Sequence, residues 1–212
     1  MTTSHNFIDK YPIAPDSRKL ILGTIHPHDV SSFQIPFFYG NRSSLWKIIN
    51  AAFPNELKNP ITVDGILAFL NSRKMAISDT ILECKRKSIS ALDSDLIPEK
   101  LNYRLIAQIK NSAISEIYFT SGFGKNNAFK LFYEDILGLK ITKEIKANKS
   151  VVIPDSIFGR PVLCKVLISP SGAANISLSI SAEYNAVKDK YATSKRPVQD
   201  YKVDYYRALF KT

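Results

Sequence analysis

The stretch that decides the fold is Leu20-Ile21-Leu22-Gly23-Thr24-Ile25-His26-Pro27, a short apolar run broken by small residues and a proline. A second stretch of this kind lies far downstream, where Val162–Ile168 is followed by Ser169-Pro170-Ser171-Gly172-Ala173-Ala174-Asn175. This pattern is typical of a strand that delivers a loop to the edge of a parallel sheet. Because ligands of open α/β sheets bind outside the carboxyl ends of the strands, the two loops predict one shared cleft.

Short β-type runs alternate with helical patterns along the chain, which predicts a parallel sheet covered on both faces by helices. The predicted strands are Lys19–Thr24, Met75–Thr80, Glu116–Thr120 and Pro161–Ser169. The predicted helices are Ser43–Ala52, Val63–Asn71, Lys100–Asn111, Asn126–Leu137, parts of Ser181–Lys190, and Tyr201–Phe210. Ser43-Ser44 and Asn126-Asn127 are expected to cap the helices that follow them, and Gly138 to end one. The lysine-rich segment Lys140–Pro154 is expected to be a surface excursion.

Composition is that of a soluble globular protein, with 45% hydrophobic and 23% charged residues in 212. We expect one domain over residues 1–212, a monomer, large enough to bury a core. No stretch is long and apolar enough to cross a membrane, and Met1–Lys10 lacks the apolar core of a secretory signal, so a cytoplasmic location is expected.

The net charge of +10, from 29 Lys and Arg against 19 Asp and Glu, favours a polyanionic partner, although a basic surface kept for solubility also explains it. The dense cluster Lys85-Arg86-Lys87 is expected to be a solvated face. Cys84 and Cys164 have no partner at metal-ligand spacing and the chain has only three His, so neither a structural zinc site nor an iron–sulfur cluster is expected. Both are interpreted as reduced thiols, with Cys164 buried in its strand.

His26 admits two interpretations. Histidine is the commonest general acid or base at neutral pH, and this one lies at a predicted strand end. The alternative is a structural histidine that bonds a backbone group in the turn. For a lone histidine the structural interpretation would be favoured, but the position at a predicted strand end makes the two interpretations about equally favoured.

The segment from Ser32 to Trp46 concentrates aromatic residues around a tight turn. Aromatic faces can stack on a base, Asn can read a base edge and Arg can grip a phosphate. The alternative is that these residues form a hydrophobic cluster that seals one end of the sheet. We expect Phe37 and Trp46 to belong to the core, and Phe38 or Tyr39 to line a pocket.

Taken together, the chain's motifs resemble the uracil-DNA glycosylase superfamily, and most closely its hypoxanthine-DNA glycosylase-like branch. The resemblance covers roughly Leu20 to Asn175. The segments that carry it, in order, are Gly23–Pro27, Tyr39–Trp46, Ile77–Ser94, Tyr118–Phe132 and Ser169–Asn175.

This resemblance implies a three-layer α/β/α fold with a short four-stranded parallel sheet. It also implies a monofunctional DNA N-glycosylase of base excision repair, a hydrolase that flips a damaged base out of DNA and cuts its N-glycosidic bond without a metal or cofactor. The partner would be DNA that contains a deaminated base, uracil or hypoxanthine.

The resemblance also assigns roles to individual residues. The catalytic positions are His26 and Asn41. Asn41 stands where relatives carry a functional Asn, and Thr120 or Ser121 where they carry another. The residues expected to contact the flipped base are Gly23, Thr24, Pro27, Phe38, Tyr39, Gly40, Thr120 and Ser121. The residues expected to contact DNA are Arg42, Ser169, Pro170, Ser171, Gly172 and Asn175.

Two other functions stay open at the level of sequence. Many members of the superfamily carry Asp or Asn where this chain has His26, its hypoxanthine-type members have a turn one residue longer at Asn41, and an Asn is replaced at Thr120. These departures suggest a non-catalytic nucleic-acid-binding relative, which would bind DNA in a salt-sensitive manner without forming abasic sites. The same pocket could instead serve an enzyme that acts on a free nucleoside or nucleotide. Asp79, at the end of the second predicted strand, is expected to bond loop N–H groups.

Overall fold

The computed structural model describes residues 1–42, 44–88 and 92–211. The chain forms two compact units. The first comprises Met1–Ser32 and Leu70–Leu167, and the second comprises Phe33–Phe69 and Ile168–Thr212.

The first unit is built on β-strands. In the described residues these are β1 (Thr2–Ser4), β2 (Lys19–Gly23), β3 (Met75–Asp79), β4 (Ile81–Arg86), β5 (Leu96–Leu101), β6 (Glu116–Phe119), β7 (Ser150–Ile153) and β8 (Val162–Val166). The larger sheet has the order β3-β2-β6-β8-β7. Its first four strands are parallel, and β7 runs antiparallel to β8. All four predicted strands are therefore confirmed.

The fifth strand, β7, corrects the interpretation of Lys140–Pro154 as a surface excursion. Val151, Val152 and Ile153 are β-branched and pair with β8, so the end of this polar segment extends the sheet. A second, antiparallel sheet of order β1-β4-β5 was also not predicted. Its strand β5 occupies the beginning of the predicted helix Lys100–Asn111, which in the structure starts only at Arg104.

The helices are short, and one of them is irregular. In the described residues they are α1 (Ser44–Ala52), α2 (Val63–Ser72), α3 (Arg104–Lys110), α4 (Ala128–Lys130, continuing as a π-helix over Leu131–Ile136), α5 (Lys143–Asn148), α6 (Asp155–Phe158), α7 (Asn175–Ser179), α8 (Ala182–Asn185) and α9 (Pro197–Phe210). Short 3₁₀ turns span Asp93–Asp95, Gly172–Ala174 and Lys188–Tyr191. The fold class is as predicted: α/β, with a central parallel-rich sheet flanked by helices.

Aromatic packing joins the central sheet to the helix that follows β6. Phe119 on β6 is fully buried, and its ring centroid lies 5.1 Å from that of Phe129 on α4. Each fully buried phenylalanine contributes roughly 1.5–3 kcal/mol of transfer free energy. Cys164 lies in the same core on β8, as predicted, and both cysteines are free thiols.

Helix starts were predicted less well than strands. Ser43 lies outside the described residues, so its capping role stays a prediction. Asn127 precedes α4, but its side chain caps nothing there. The Ser121 hydroxyl oxygen accepts from the Ala128 N–H instead, at 2.8 Å. Gly138 ends this helix with a φ of 69°, as predicted.

In the second unit, α1 packs against α9. Phe37 and Trp46 are both fully buried, which confirms them as core residues. The Trp46 indole N–H donates to the Phe38 carbonyl at 2.6 Å. In the described part of the chain, no helix is long and apolar enough to span a membrane.

Candidate functional site

Three segments of the first unit meet around the Asp93 carboxylate. The parallel strands β2 and β6 are neighbours, and their carboxyl ends lead into Thr24 and Ser121. The Thr24 hydroxyl donates to Asp93 Oδ1 at 2.8 Å, and the Ser121 hydroxyl also bonds this carboxylate. Asp93 lies within a resembling segment, but the sequence assigned it no role.

Hydrogen bonds also fix the backbone of Asp93. The Asn126 amide donates to the carbonyls of Asp93 at 3.0 Å and Leu96 at 2.7 Å. Asn126 adopts a φ of 58°, a left-handed conformation that asparagine tolerates better than most residues. A buried amide thus anchors the turn that carries the carboxylate.

Burial raises the pKa of Asp93 above its ordinary value, and the hydrogen bonds from Thr24 and Ser121 partly offset this effect. The nearby charge of Asp79 raises the pKa further, and that of Arg86 lowers it. The side chain is nevertheless half-buried rather than sealed. A reachable carboxylate of raised pKa is suited to accept a proton from water near neutral pH.

His26 is only 5% exposed, and backbone groups engage both of its ring nitrogens. Nε2 accepts from the Asn6 N–H at 3.0 Å, so Nδ1 carries the proton and donates to the Pro27 carbonyl at 2.6 Å. Burial is the largest cause that lowers the pKa of His26, so the ring is neutral. Of the two roles that the sequence left open, this geometry favours the structural one.

An N-terminal strap, residues 1–8, holds the His26 loop in place. His5 Nε2 donates to Asp79 Oδ2 at 2.8 Å, while its Nδ1 accepts from the Phe7 and Ile8 N–H groups at 3.1 and 3.2 Å. Asp79 therefore bonds an imidazole, and in the described residues its carboxylate does not bond the loop N–H groups that we predicted. The His5 and His26 rings pack edge to face with centroids 4.9 Å apart.

Arg86 also differs from the sequence analysis. It lies on β4 with 6% exposure, so it does not belong to a solvated basic face. Its guanidinium donates to the His26 carbonyl at 2.6 Å and to the Thr3 hydroxyl at 3.0 Å. The small antiparallel sheet thus supplies a buried cation that ties the strap to the His26 loop.

These contacts predict that acid weakens the strap. Because the folded-state pKa of His26 lies below 6.5, the unfolded chain binds more protons between these two values. The contribution of His26 to the free energy of unfolding is therefore complete above pH 6.5 and decreases as the pH falls towards the lowered pKa. Urea unfolding at pH 7.5 and pH 5 should show a larger loss for the wild type than for His26→Gln, whose amide oxygen accepts from Asn6 without titrating. An equal loss in both proteins would contradict this assignment.

The remaining predicted residues of the first unit lie at strand ends or in the loops that follow them. The Gly23 carbonyl accepts from the Thr80 N–H and hydroxyl, at 3.0 and 3.1 Å. Thr120 is 5% exposed, whereas Ser121 is half-buried. Of these two hydroxyls, Ser121 is thus the one that can both bond Asp93 and meet a ligand. Pro27 is half-buried.

In the second unit, the segment Ile35–Gly40 closes on itself. The Phe37 N–H donates to the Ile35 carbonyl at 2.7 Å, the Gly40 N–H to Phe37 at 2.9 Å, and the Ile35 N–H to Gly40 at 3.2 Å. Tyr39 has a φ of 58°, which is strained for a residue with a large side chain.

The closed conformation of the Ile35–Gly40 segment determines which of its predicted residues are exposed enough to contact a base. Phe38 is 1% exposed, which leaves no ring face for a ligand in this conformation. Tyr39 is half-buried, as is Asn41, and Arg42 is exposed. Between Phe38 and Tyr39, Tyr39 is therefore the residue that can offer an aromatic face.

Helix α9 anchors the Ser169–Asn175 loop, within the same unit. The Tyr206 hydroxyl donates to the Ile168 carbonyl at 2.7 Å, and the Lys202 ammonium donates to the Ser171 carbonyl at 2.8 Å. Sequence reasoning missed both anchors. Lys202 shares the four-residue spacing of Tyr206 and Phe210 on the buried face of α9, which is the signal that could have revealed it.

The loop itself is shaped by its serines. The Ser171 N–H donates to the Ser169 hydroxyl oxygen, and the Ala173 N–H to the Ser171 hydroxyl oxygen, each at 3.3 Å. Pro170 is buried. The Asn175 side-chain oxygen is buried and has no hydrogen-bond partner in the described part of the chain. Ile176 and Ile180, one helical turn apart, are 79% and 77% exposed.

Among solved structures, the fold is similar to the solution NMR structure of a candidate uracil DNA glycosylase from Methanosarcina acetivorans. The TM-score is 0.51, the sequence identity is 18%, and the match covers 99% of each chain. No protein-family model matches this chain, and no curated protein matches it in sequence. The likeness confirms the predicted uracil-DNA glycosylase-like fold, and it does not extend to the hypoxanthine branch.

Proposed function

We propose that the protein is a DNA glycosylase that hydrolyses the N-glycosidic bond of a deaminated base, uracil or hypoxanthine. The observation that carries this proposal is the Asp93 carboxylate, which the Thr24 and Ser121 hydroxyls hold at the carboxyl ends of two central parallel strands. This edge is where open α/β sheets bind their ligands. The uracil-DNA glycosylase-like fold and the net charge of +10 support the same assignment.

In the proposed reaction, the bond between the base nitrogen and the sugar C1′ breaks, and the base leaves with the electron pair. The sugar becomes oxocarbenium-like, and a water oxygen forms the new bond to C1′. Asp93 accepts the proton of this water and stabilises the developing positive charge with its own negative charge. The donors Thr24 and Ser121 fix the orientation of the carboxylate before the reaction begins.

Reaching the bond requires the base to leave the helical stack, which costs a few kcal/mol. The second unit carries the residues that we assign to this step. Within that unit, Tyr39 offers an aromatic face on which a base can stack, and we assign contacts with backbone phosphates to the Ser169–Asn175 loop. Asn41 and Arg42 complete the proposed contacts.

A second candidate is a non-catalytic nucleic-acid-binding relative, and one observation favours it. His26, which stands in the segment where the superfamily holds its water, has both ring nitrogens engaged by backbone groups. If Asp93 does not activate the water in place of His26, the protein binds DNA in a salt-sensitive manner and forms no abasic site.

A lesion panel separates these candidates. Purified protein in excess is incubated with duplexes that contain uracil, hypoxanthine or no lesion, and abasic sites are then cleaved with alkali. We expect cleavage at uracil or hypoxanthine, unchanged by a chelator, and none in the undamaged duplex. DNA binding without cleavage at either lesion would favour the second candidate and contradict the first.

A further inference from the structure

A cavity of about 380 Å³ lies between α1 and α9 in the second unit. Its volume is that of a small-molecule site. Helix α1 contributes Lys47 and Ala51, which lie one helical turn apart. Among the described residues that line the cavity, none is assigned above to the base or to DNA. The proposed function therefore leaves this cavity unexplained.

One face of α9 forms the other wall of the cavity. Arg196 directly precedes the helix, and Asp200, Asp204 and Arg207 follow it at steps of four, four and three residues. Residues at this spacing lie on one side of a helix. The lining is therefore mainly charged, which suits a polar ligand because charged groups need polar partners.

Arg207 and Asp204 are occupied by contacts within the protein. Their side chains form an ion pair. The Arg207 guanidinium also donates to the carbonyls of Ala52 at 3.2 Å and Ala51 at 3.3 Å, at the end of α1. Asp204 accepts a further hydrogen bond from the Tyr191 hydroxyl at 3.0 Å. This ion pair closes part of the wall and offers a ligand no net charge.

Lys47 and Arg196 retain donors for a ligand. The Lys47 ammonium donates to the Gln34 side-chain oxygen at 3.2 Å, which uses one of its three N–H groups. Within the described residues, the Arg196 guanidinium forms neither a hydrogen bond nor an ion pair. The Asp200 carboxylate accepts from the Ser194 hydroxyl and keeps a second oxygen. Two cations against one carboxylate make this part of the cavity positive.

A phosphate monoester matches this charge. At neutral pH it carries about two negative charges on its acceptor oxygens, which an arginine fork and an ammonium can bind together. The ionised Asp200 carboxylate only accepts hydrogen bonds, so it suits hydroxyl groups of the same molecule.

The rest of the lining disfavours a nucleotide base and DNA. The apolar lining residues are Ala51 and Val203, and no described lining residue is aromatic, so a base finds no ring on which to stack. Asp200 and the exposed Asp204 would repel the continuous negative charge of a DNA backbone. A small sugar phosphate is the class of ligand that fits both the cations and the carboxylate.

We propose that this cavity binds a small sugar phosphate, with the phosphate group against Lys47 and Arg196 and the hydroxyl groups against Asp200. The inference goes beyond the proposed function and does not depend on it, because the proposed reaction uses no residue of the cavity. Variants of the cavity should therefore excise a damaged base at the wild-type rate.

Isothermal titration calorimetry tests the site with ribose 5-phosphate and glucose 6-phosphate, and with ribose and inorganic phosphate as partial ligands. Arg196→Gln removes the cation that has no partner, and Asp200→Asn removes the carboxylate charge. Lys195→Gln removes an adjacent exposed cation that does not line the cavity, and it serves as the control. Because Arg196 and Lys195 are both exposed, the Tm of their variants should equal that of the wild type.

At least one of the two sugar phosphates should bind the wild type more tightly than ribose or inorganic phosphate does. Arg196→Gln should weaken this binding about 10-fold relative to Lys195→Gln, because a charge-assisted hydrogen bond is lost. Asp200→Asn should weaken the binding of the sugar phosphate but not that of inorganic phosphate.

Four results would overturn the inference. The first is that neither sugar phosphate binds at millimolar concentration, and the second is that Arg196→Gln binds as tightly as Lys195→Gln. The third is that inorganic phosphate binds as tightly as the sugar phosphates, or that Asp200→Asn binds them like the wild type. The fourth is that Arg196→Gln weakens binding to duplex DNA relative to the control, which would make the cavity part of a nucleic-acid surface.

Discussion

Replacing Asp93 with asparagine should lower the single-turnover rate of base excision by about 10³-fold, because general base catalysis contributes on that order. Asparagine keeps the acceptor oxygen for the Thr24 hydroxyl, so the turn should stay intact. The raised pKa means that the charged carboxylate costs the fold stability at neutral pH, and the Tm should be unchanged or higher. Affinity for DNA should be close to that of the wild type.

The control for this substitution is Asp95→Asn, two residues along the same turn, where the carboxylate accepts from the Ser88 hydroxyl. Its excision rate should match the wild type. The pH profile adds a second measurement. Because the proposed function assigns the base to the ionised form of Asp93, the wild-type rate should rise with pH through the raised pKa and then level off. A retained rising limb in Asp93→Asn would assign the base to another group.

Gly40→Ala should be the most destabilising single-methyl change in the Ile35–Gly40 segment. An ideal Cβ at Gly40 would lie 1.7 Å from the Ile35 carbonyl oxygen and 2.8 Å from the Phe37 carbonyl oxygen. Both are backbone atoms, which cannot move aside without breaking the turn. We expect a loss of about 3 kcal/mol in the free energy of unfolding, and a fall in Tm on the order of 10 °C.

Gly172→Ala provides the matched comparison, because it adds the same methyl group in the same unit where nothing lies within 4 Å. Thermal unfolding followed by circular dichroism measures both variants. A Tm of Gly40→Ala within a degree or two of Gly172→Ala would show that the Ile35–Gly40 turn is not closed as described.

The central sheet could be predicted from the sequence because its strands are continuous apolar runs that end in small residues and proline. Leu20, Ile21 and Leu22 are nearly inaccessible to solvent, as a strand buried on both faces requires. The strands β1 and β5 could not be predicted in this way. They are partly exposed and polar, and their pairing with β4 depends on residues distant in the sequence.

The candidate site lies in segments that the sequence analysis singled out, but its carboxylate was not among the predicted residues. The sequence pointed to the Gly23–Pro27 loop and to Ser121, and the structure adds the Asp93 carboxylate, which the Thr24 and Ser121 hydroxyls bond. Its position depends on the left-handed conformation of Asn126 and on two amide hydrogen bonds, which no local pattern encodes. For His26 the sequence identified the residue but could not decide its role. The backbone groups that engage its ring come from Asn6 and Pro27, and the Asn6 contact requires the N-terminal strap.

Mass spectrometry of a uracil- or hypoxanthine-containing duplex after one turnover tests the central claim, hydrolysis at the Asp93 site, most directly. Wild-type protein should yield the free base and an unbroken abasic strand in equal amounts, and Asp93→Asn should yield neither on that timescale. An intact strand with its base still attached, or equal product from both proteins, would contradict the account.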